Sequence, residues 1–236
     1  MADSGHAVNG APAAPVLSVN PFVSPDAMDR RALLIAATAA PLLCLPIRGR
    51  AREPIVGGPC EGCEAVFQER PPAPASSARI APPGEPGEPL VLSGRVVDRA
   101  GRPAAGIIVY AYHTDRRGIY PHAPGLRGAA ARHGALRGWA TTDAAGRYRF
   151  DTIRPGSYPG RDVPEHIHMH VIEPERATYY IDDVMFADDP KLTAAQRRLL
   201  VSGRGGDGIA MPSRTGGAWH VVRDIALGAN IPGDPA

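Results

Sequence analysis

From residue 90 onward the chain is a succession of short apolar or alternating segments, separated by turns rich in Gly, Asp and Pro. Alternation of apolar and polar side chains is typical of a strand with one buried face. The segments with this character are 90–97, 106–113, 139–142, 147–153, 166–172, 178–186 and 219–227. Thr193–Val201 instead favours a short helix with Thr193 as its N-cap. This pattern predicts an all-β domain, most simply a β-sandwich.

The segments 139–142 and 147–153 flank Asp143-Ala144-Ala145-Gly146, a turn sequence that predicts a β-hairpin. Residues 90–153 as a whole resemble a transthyretin-like or carboxypeptidase-regulatory module, and such modules are often binding or structural domains. We therefore expect an immunoglobulin-like or transthyretin-like β-sandwich. A metal-free binding module is one interpretation of this region by itself.

Residues 1–51 are predicted to be a disordered leader that contains an export signal. The adjacent residues Arg30 and Arg31 precede an apolar run, 32–46, which is too short to span a bilayer. The arginine pair resembles a twin-arginine signal, which serves proteins that fold before export. This interpretation predicts a periplasmic or extracellular protein without stable membrane insertion, and a cytoplasmic protein with a disordered leader is the alternative.

Residues 52–89 are rich in Cys, Pro and Gly and are predicted to form an arm on the main domain, 90–230, or a linker to it. Within them, Cys60 and Cys63 form the motif Cys-Glu-Gly-Cys. No second pair follows, as a zinc ribbon would require, and the strand-to-helix context of a thioredoxin-like site is missing. The motif favours a local disulfide or a plain loop, with metal or redox use as the alternatives.

The charge distribution argues against a nucleic-acid partner. The 26 basic and 24 acidic residues give a formal net charge of only +2. No stripe of basic residues interleaved with aromatic ones is present in the sequence.

Histidines alternate along the predicted strand 166–172. In a strand, alternate residues point to one face, so His166 and His168 project side by side and could bind one metal ion. His170 shares that face, about 7 Å further along the strand. Three alternating histidines on an otherwise apolar strand indicate a metal site, because each buried imidazole needs a partner.

Two tyrosines in Gly-rich and Pro-rich loops are the remaining ligand candidates. Tyr120 ends the run DRRGIY, and Tyr158 lies in RPGSYP. Phenolate is a hard, anionic oxygen donor and suits a hard trivalent cation. Two phenolates, two neutral imidazoles and one hydroxide would balance the charge of Fe(3+), which matters where bare charge is costly to bury.

Taken together, these motifs resemble the active-site segments of the intradiol ring-cleavage dioxygenases. The resemblance rests on HTDRRGIYP, LRGWATTDAAGRYRF, TIRPGSYPGR and PEHIHMHV, and it covers roughly residues 90–186. It implies a β-sandwich that uses O2 to open a catechol-type ring between its two hydroxylated carbons. It also implies a ferric cofactor, Fe(3+), with the ligands Tyr120, Tyr158, His166 and His168. Tyr158 would in addition act in catalysis by accepting a substrate proton.

The resemblance further implies a small aromatic diol and O2 as partners, with a homo-oligomer as a possible assembly. Members of the family that cleave simple catechols usually have an arginine at the position of Val163. Arg161, two residues earlier, is predicted to reach the same space and to act in catalysis. Gly160 replaces a bulky aromatic residue, which predicts a wider pocket. A copper or zinc protein that uses only the His-x-His face is the remaining alternative.

Overall fold

The computed structural model describes residues 53–60, 62–201 and 203–235, so the predicted leader and export signal lie outside the described residues. The strands are β1 (Ser77–Arg79), β2 (Pro89–Val97), β3 (Ile108–Tyr112), β4 (Arg137–Thr141), β5 (Arg147–Ile153), β6 (His166–Glu173), β7 (Ala177–Phe186), β8 (Ile209–Ala210), β9 (Ser213–Thr215), β10 (Ala218–Val222) and β11 (Ile225–Ala226). One α-helix, α1 (Ala194–Leu200), and the 3₁₀ helices Cys63–Phe67 and Gly128–His133 complete the described elements.

The strands form two sheets that enclose one apolar core. The first sheet has the order β1-β5-β2-β10-β9, with β11 also paired to β2, and the second has the order β4-β3-β6-β7-β8. Side chains from both sheets meet in the core, among them Leu92, Phe150, Val109, Ile167 and Val184. The predicted all-β sandwich is confirmed.

The predicted hairpin of residues 139–142 with 147–153 is wrong. The first segment, β4, pairs with β3, whereas the second, β5, pairs with β2 in the other sheet. The turn itself forms, since the Gly146 amide donates to the Asp143 carbonyl at 2.9 Å. However, the Val96 amide donates to the Gly146 carbonyl at 2.8 Å, and this bond directs the following chain to β2. The turn therefore connects the two sheets.

The structure confirms the predicted start of the helix and divides the last predicted strand into two. Thr193 caps α1 in a capping box with Gln196, as the sequence predicts. The predicted strand 219–227 is divided into β10 and β11 by Arg223, whose buried guanidinium donates to the carbonyls of Gly205, at 3.1 Å, and Asp224, at 2.6 Å.

The described residues before β2, 53–60 and 62–81, pack on the sandwich. β1 pairs in parallel with β5 at the edge of the first sheet. In the 3₁₀ helix, Val66 is fully buried against Tyr110, Tyr112 and Ile172 of the second sheet. Its carbonyl accepts a hydrogen bond of 2.8 Å from the indole nitrogen of Trp139. Within the described part of the chain, no helix is long and apolar enough to cross a membrane.

Candidate metal centre

The side chains of Tyr120, Tyr158, His166 and His168 converge at the start of β6. The two phenol oxygens are 2.6 Å apart, and the Tyr158 oxygen lies 3.1 Å and 3.3 Å from Nε2 of His166 and His168. Nε2 of His168 lies 2.8 Å from the Tyr120 oxygen and 3.2 Å from Nε2 of His166. Donors that each bind one ion at about 2.0–2.2 Å lie roughly 3 Å from one another. The spacing of the four donors therefore fits a single ion.

Hydrogen bonds fix the orientation of both imidazoles. Nδ1 of His166 lies 2.7 Å from the carbonyl oxygen of Pro164, and Nδ1 of His168 lies 2.9 Å from Oδ1 of Asp183. A carbonyl or carboxylate oxygen only accepts, so Nδ1 carries the proton in each ring. Each Nε2 consequently presents its lone pair to the point of convergence, the arrangement typical of metal-bound histidines.

A β-bulge brings Asp183 beneath His168. The register between β6 and β7 shifts between Ile167 and Met169, so that Asp182 and Asp183 lie opposite the single residue His168. Bulges often redirect a side chain next to a functional site. Sequence reasoning missed Asp183, because strand alternation alone does not reveal where a bulge interrupts the register.

Burial shifts the pKa values of several side chains at this site. It raises the pKa of the Tyr120 and Tyr158 phenols and lowers the pKa of the His166 imidazole. Burial also acts to raise the pKa of Asp183, but the neighbouring imidazoles, His168 foremost, outweigh it and lower that pKa. Asp183 is thus available as a carboxylate and His166 as a neutral ring. A cation in the site would be needed to hold the phenols as phenolates.

Close backbone packing joins the two tyrosine loops, 115–120 and 154–160. A Cβ on Gly118 would lie 1.9 Å from the Ser157 carbonyl oxygen, and a Cβ on Gly156 would lie 2.7 Å from the Gly118 amide nitrogen. Gly118 also has φ +80°, a conformation that L side chains rarely adopt. Glycine at these positions lets the loops approach closely enough for the phenols to meet.

Charged side chains hold the chain between Tyr158 and His166. The Arg154 guanidinium donates to Glu165 at 2.7 Å, which ties the two ends of this segment together. Lys191 donates to the Ser157 hydroxyl at 2.8 Å and to the Arg161 carbonyl at 3.1 Å. Lys191, for which the sequence predicted no role, follows β7 and reaches back to the Tyr158 loop.

Arg161 lies beside the convergent donors, with its guanidinium over the ring of Tyr158. Its guanidinium carbon is 6.0 Å from the centre of the Tyr158 ring. Together with Arg132 it lines an open cleft of about 580 Å³ that is bounded by both tyrosines. The Val163 carbonyl accepts a hydrogen bond from the Ser157 hydroxyl.

A second cavity, of about 370 Å³, also borders the site and shares Tyr120 and Tyr158 with the cleft. Tyr112 forms part of its wall and stacks between His133 and His168, at centroid distances of 3.7 Å and 4.6 Å. His133 is buried, and its Nδ1 lies 3.0 Å from the hydroxyl of Tyr110.

His170 shares the cavity-facing side of β6 but does not join the four convergent donors. Its ring packs edge-on against Tyr110 and Tyr180. A ligand atom of His170 lies within 4.8 Å of the sulfurs of Cys60 and Cys63. The structure joins these two cysteines by a disulfide, one of the interpretations that the sequence favoured.

Comparison with known proteins supports the assignment of the fold and the motifs. A family model described as Dioxygenase matches residues 64–204, which include all four convergent donors. The chain is 35% identical over 116 residues to the protocatechuate 3,4-dioxygenase beta chain of Burkholderia cepacia, which covers 46% of this chain and 49% of that one. It is 38% identical over 76 residues to catechol 1,2-dioxygenase 1 of Acinetobacter lwoffii, covering 32% of this chain and 24% of that one.

A solved structure of catechol 1,2-dioxygenase from Acinetobacter sp. ADP1, inhibited by bound mercury, has the same fold. Its TM-score is 0.51 at 22% identity, covering 65% of this chain and 58% of that one. The fold is a β-sandwich in which two phenols and two imidazoles meet at one point. The family model matches the residues that carry these groups, and together the two findings define the class of the protein. The chain belongs to the intradiol ring-cleavage dioxygenase family. It spans about half or less of the length of the curated relatives named above.

Proposed function

We propose that this protein is a non-haem ferric dioxygenase that uses O2 to open a catechol-type ring between its two hydroxylated carbons. The observation that carries the proposal is the convergence of two phenol oxygens and two imidazole nitrogens, with five mutual distances between 2.6 and 3.3 Å. Membership in the intradiol family supports the type of reaction. The substrate is a small aromatic diol, and catechol, protocatechuate and hydroxyquinol are the compounds to test.

The donor set fits Fe(3+). Phenolate oxygens are hard and anionic, and two of them with two neutral imidazoles would offset most of the charge of a trivalent ion. The proposed ligands are Tyr120, Tyr158, His166 and His168. Ferric iron held by these residues would supply a Lewis acid, which the diol could chelate through its two oxygens and which would draw electron density from the ring.

Tyr158 is the proposed acceptor of a substrate proton. Its oxygen lies within 3.3 Å of three other donors, and its half-buried ring also borders the open cleft. The nearby guanidinium of Arg161 acts to lower the pKa of this phenol, against the larger effect of burial. Arg161 therefore favours the deprotonated form of Tyr158, which is the form that can accept a proton.

The remaining groups of the chain hold these side chains in place. Asp183 and the Pro164 carbonyl orient the two imidazoles through Nδ1, and Tyr112 supports the face of His168. Such fixed orientation matters because a displacement of about 1 Å in a catalytic group can cost roughly 100-fold in rate.

Visible spectroscopy and oxygen uptake test the proposal on the purified, iron-loaded protein. Phenolate-to-iron charge transfer should colour the protein red, and Tyr120→Phe or Tyr158→Phe should weaken or shift that band. The matched control is Tyr180→Phe, which alters a tyrosine on the cavity wall outside the four donors and should keep the band. Oxygen uptake should follow addition of at least one of the three diols.

Three other results would contradict the proposal. Stoichiometric zinc or copper that does not depend on either tyrosine would favour a protein that uses only the His-x-His face. A chain that retains no metal would favour a binding module. A red iron protein that takes up no oxygen with any of the diols would support the metal site and exclude the proposed activity on these substrates.

A further inference from the structure

A second group of metal-binding side chains lies outside the four proposed iron ligands. Cys60, Cys63 and His170 each place one ligand atom within 4.8 Å of the other two. Cys63 is 4% exposed and His170 is 3% exposed, while Cys60 is half-buried. The cysteines come from the segment that precedes the sandwich and the histidine from β6, so the fold brings together residues more than a hundred positions apart.

His170 lacks a polar partner for one ring nitrogen. Among the described residues, no hydrogen bond is made by its buried Nδ1. The ring is instead surrounded by aromatic groups, with Tyr110 and Tyr180 packed against it edge-on. Buried polar atoms in native proteins are nearly always paired, so an unpaired nitrogen indicates a missing ligand or partner.

The group of Cys60, Cys63 and His170 borders a cavity in the protein. Cys60 and His170 both line the cavity of about 370 Å³, which also reaches Asp183 and His168. A small ion or reductant that enters this cavity would therefore reach Cys60 and the disulfide that it forms with Cys63. The oxidised pair offers no thiolate, so metal binding requires that the disulfide first be reduced.

We propose that reduction of the Cys60–Cys63 disulfide creates a second metal site, in which both sulfurs and an imidazole nitrogen of His170 bind a d¹⁰ cation such as Zn²⁺. Two thiolates and one imidazole are the soft and borderline donors that such cations prefer, and a solvent molecule can complete tetrahedral coordination. The site uses none of the proposed iron ligands and does not depend on the proposed activity.

The redox step needs a two-electron reductant. A dithiol would break the S–S bond and add one proton to each sulfur, while being oxidised to a disulfide itself. Metal binding would then release both protons, because the thiolate is the ligand. The redox state of Cys60 and Cys63 would thereby determine whether the cavity wall next to the proposed iron centre contains a disulfide or a bound metal ion.

Protection of the thiols from alkylation tests the proposal. The full iron-loaded chain carrying Cys44→Ser is reduced with a trialkylphosphine, which becomes the phosphine oxide by taking oxygen from water. After removal of the phosphine, iodoacetamide labelling of Cys60 and Cys63 is followed by peptide mass spectrometry with and without one equivalent of Zn²⁺. We expect Zn²⁺ to slow labelling of both cysteines at least tenfold, and the unreduced protein to take no label at either position.

Substitution of His170 separates the three-ligand site from a bare dithiol. In His170→Gln the protection should require at least tenfold more Zn²⁺, whereas the exposed-site control His122→Gln should behave like the parent chain. If His170→Gln does not fold, Cys60→Ser provides the second test, and after reduction it should lose the zinc that the parent retains. Equal labelling with and without Zn²⁺, full protection in His170→Gln, or retained zinc in Cys60→Ser would overturn the proposal.

Discussion

At the scale of single residues, the geometry of the site depends on the hydrogen bond that each imidazole makes through Nδ1, the ring nitrogen that faces away from the other donors. His166 and His168 are held by a carbonyl and a carboxylate, so both present Nε2 without rearrangement. The carboxylate, Asp183, is the more informative partner because it can be removed by substitution. The partner of His166 is a backbone carbonyl and cannot be removed in this way.

Asp183→Ala should weaken iron binding about 10- to 100-fold, because the loss of a carboxylate that orients a metal-bound histidine typically costs that much affinity. The measurement is a titration of the metal-free protein with ferric iron, followed by the phenolate charge-transfer band. Asp151→Ala is the matched control, since Asp151 pairs with Arg149 on the partly exposed surface of β5, away from the four donors. Equal affinity in Asp183→Ala and the control would contradict the role of Asp183.

His113 should make the folded state sensitive to acid. The side chain is fully buried, with Nε2 at 2.6 Å from the Thr152 hydroxyl, and burial lowers its pKa from 6.5 to about 4. The unfolded chain therefore takes up a proton at this residue before the folded protein does. Stability from this residue is complete above pH 6.5 and is lost as the pH falls toward 4.

In His113→Gln, the loss of unfolding free energy between pH 7 and pH 4.5 should be smaller by about 2 kcal/mol than in the parent chain. Urea unfolding at the two pH values measures this difference. The exposed histidine His122 provides the control, and His122→Gln should keep the parent pH dependence. Parallel losses in the parent and His113→Gln would show that the buried imidazole does not cause the effect.

At the scale of secondary structure elements, two loops, the start of β6 and a bulge build the candidate metal centre. The glycine contacts between the loops 115–120 and 154–160 make a specific prediction. Gly118→Ala should separate the loops and destabilise the fold by about 1–3 kcal/mol, because its Cβ would overlap the Ser157 carbonyl. The phenolate-to-iron band should weaken while the far-ultraviolet circular dichroism of the sheets persists.

Gly160→Ala is the matched control for this substitution. Gly160 lies in the same loop as Tyr158 and also has a positive φ, +69°, but a Cβ there would meet nothing within 4 Å. In both variants an alanine must adopt a left-handed backbone conformation, which costs free energy. Only in Gly118→Ala does the new Cβ also overlap the Ser157 carbonyl. If the two variants lose the band equally, backbone strain and not loop contact determines the geometry of the site.

Local sequence patterns predicted most of these elements, because alternation and capping are properties of neighbouring residues. The strand 147–153 and the Thr193 cap were predicted correctly for this reason. The pairing partner of β5 was not, since the Asp143 turn is compatible with a hairpin and the contact of Gly146 with Val96 is made across the fold. The bulge opposite His168 was missed for the same reason.

At the scale of the whole molecule, the segment that precedes the sandwich is a structural part of it. Val66 is fully buried with aromatic residues of the second sheet, and Arg137 donates to the carbonyls of Ala65 and Gln68. The Cys, Pro and Gly content of this segment predicted an arm or a linker and could not decide between them. That distinction depends on contacts between residues far apart in sequence, which composition does not encode.

Val66→Ala should lower the unfolding free energy by about 2 kcal/mol, since it removes two buried methyl groups from a packed cluster. Val222→Ala, at a site that is 61% exposed, should change it by less than about 0.5 kcal/mol. Both variants should unfold in urea in a single transition if the arm and the sandwich fold together. An unchanged midpoint in Val66→Ala would show that the arm does not contribute to the cooperative unit.

The convergence of the four proposed ligands is a whole-molecule property that the motifs anticipated in part. Alternation on one strand predicted that His166 and His168 share a face, and their Nε2 atoms are 3.2 Å apart. That Tyr120 and Tyr158 reach the same point follows from loops whose paths cannot be read from local patterns. The resemblance to the intradiol family supplied this part of the prediction.

Isotope labelling of the product tests the central claim most directly. The iron-loaded protein is given a catechol-type diol under ¹⁸O2, and the product is analysed by mass spectrometry. Intradiol cleavage predicts a cis,cis-muconate-type diacid that contains both atoms of one O2 molecule. A product cleaved beside the diol, a quinone, or a diacid without oxygen from O2 would contradict the account.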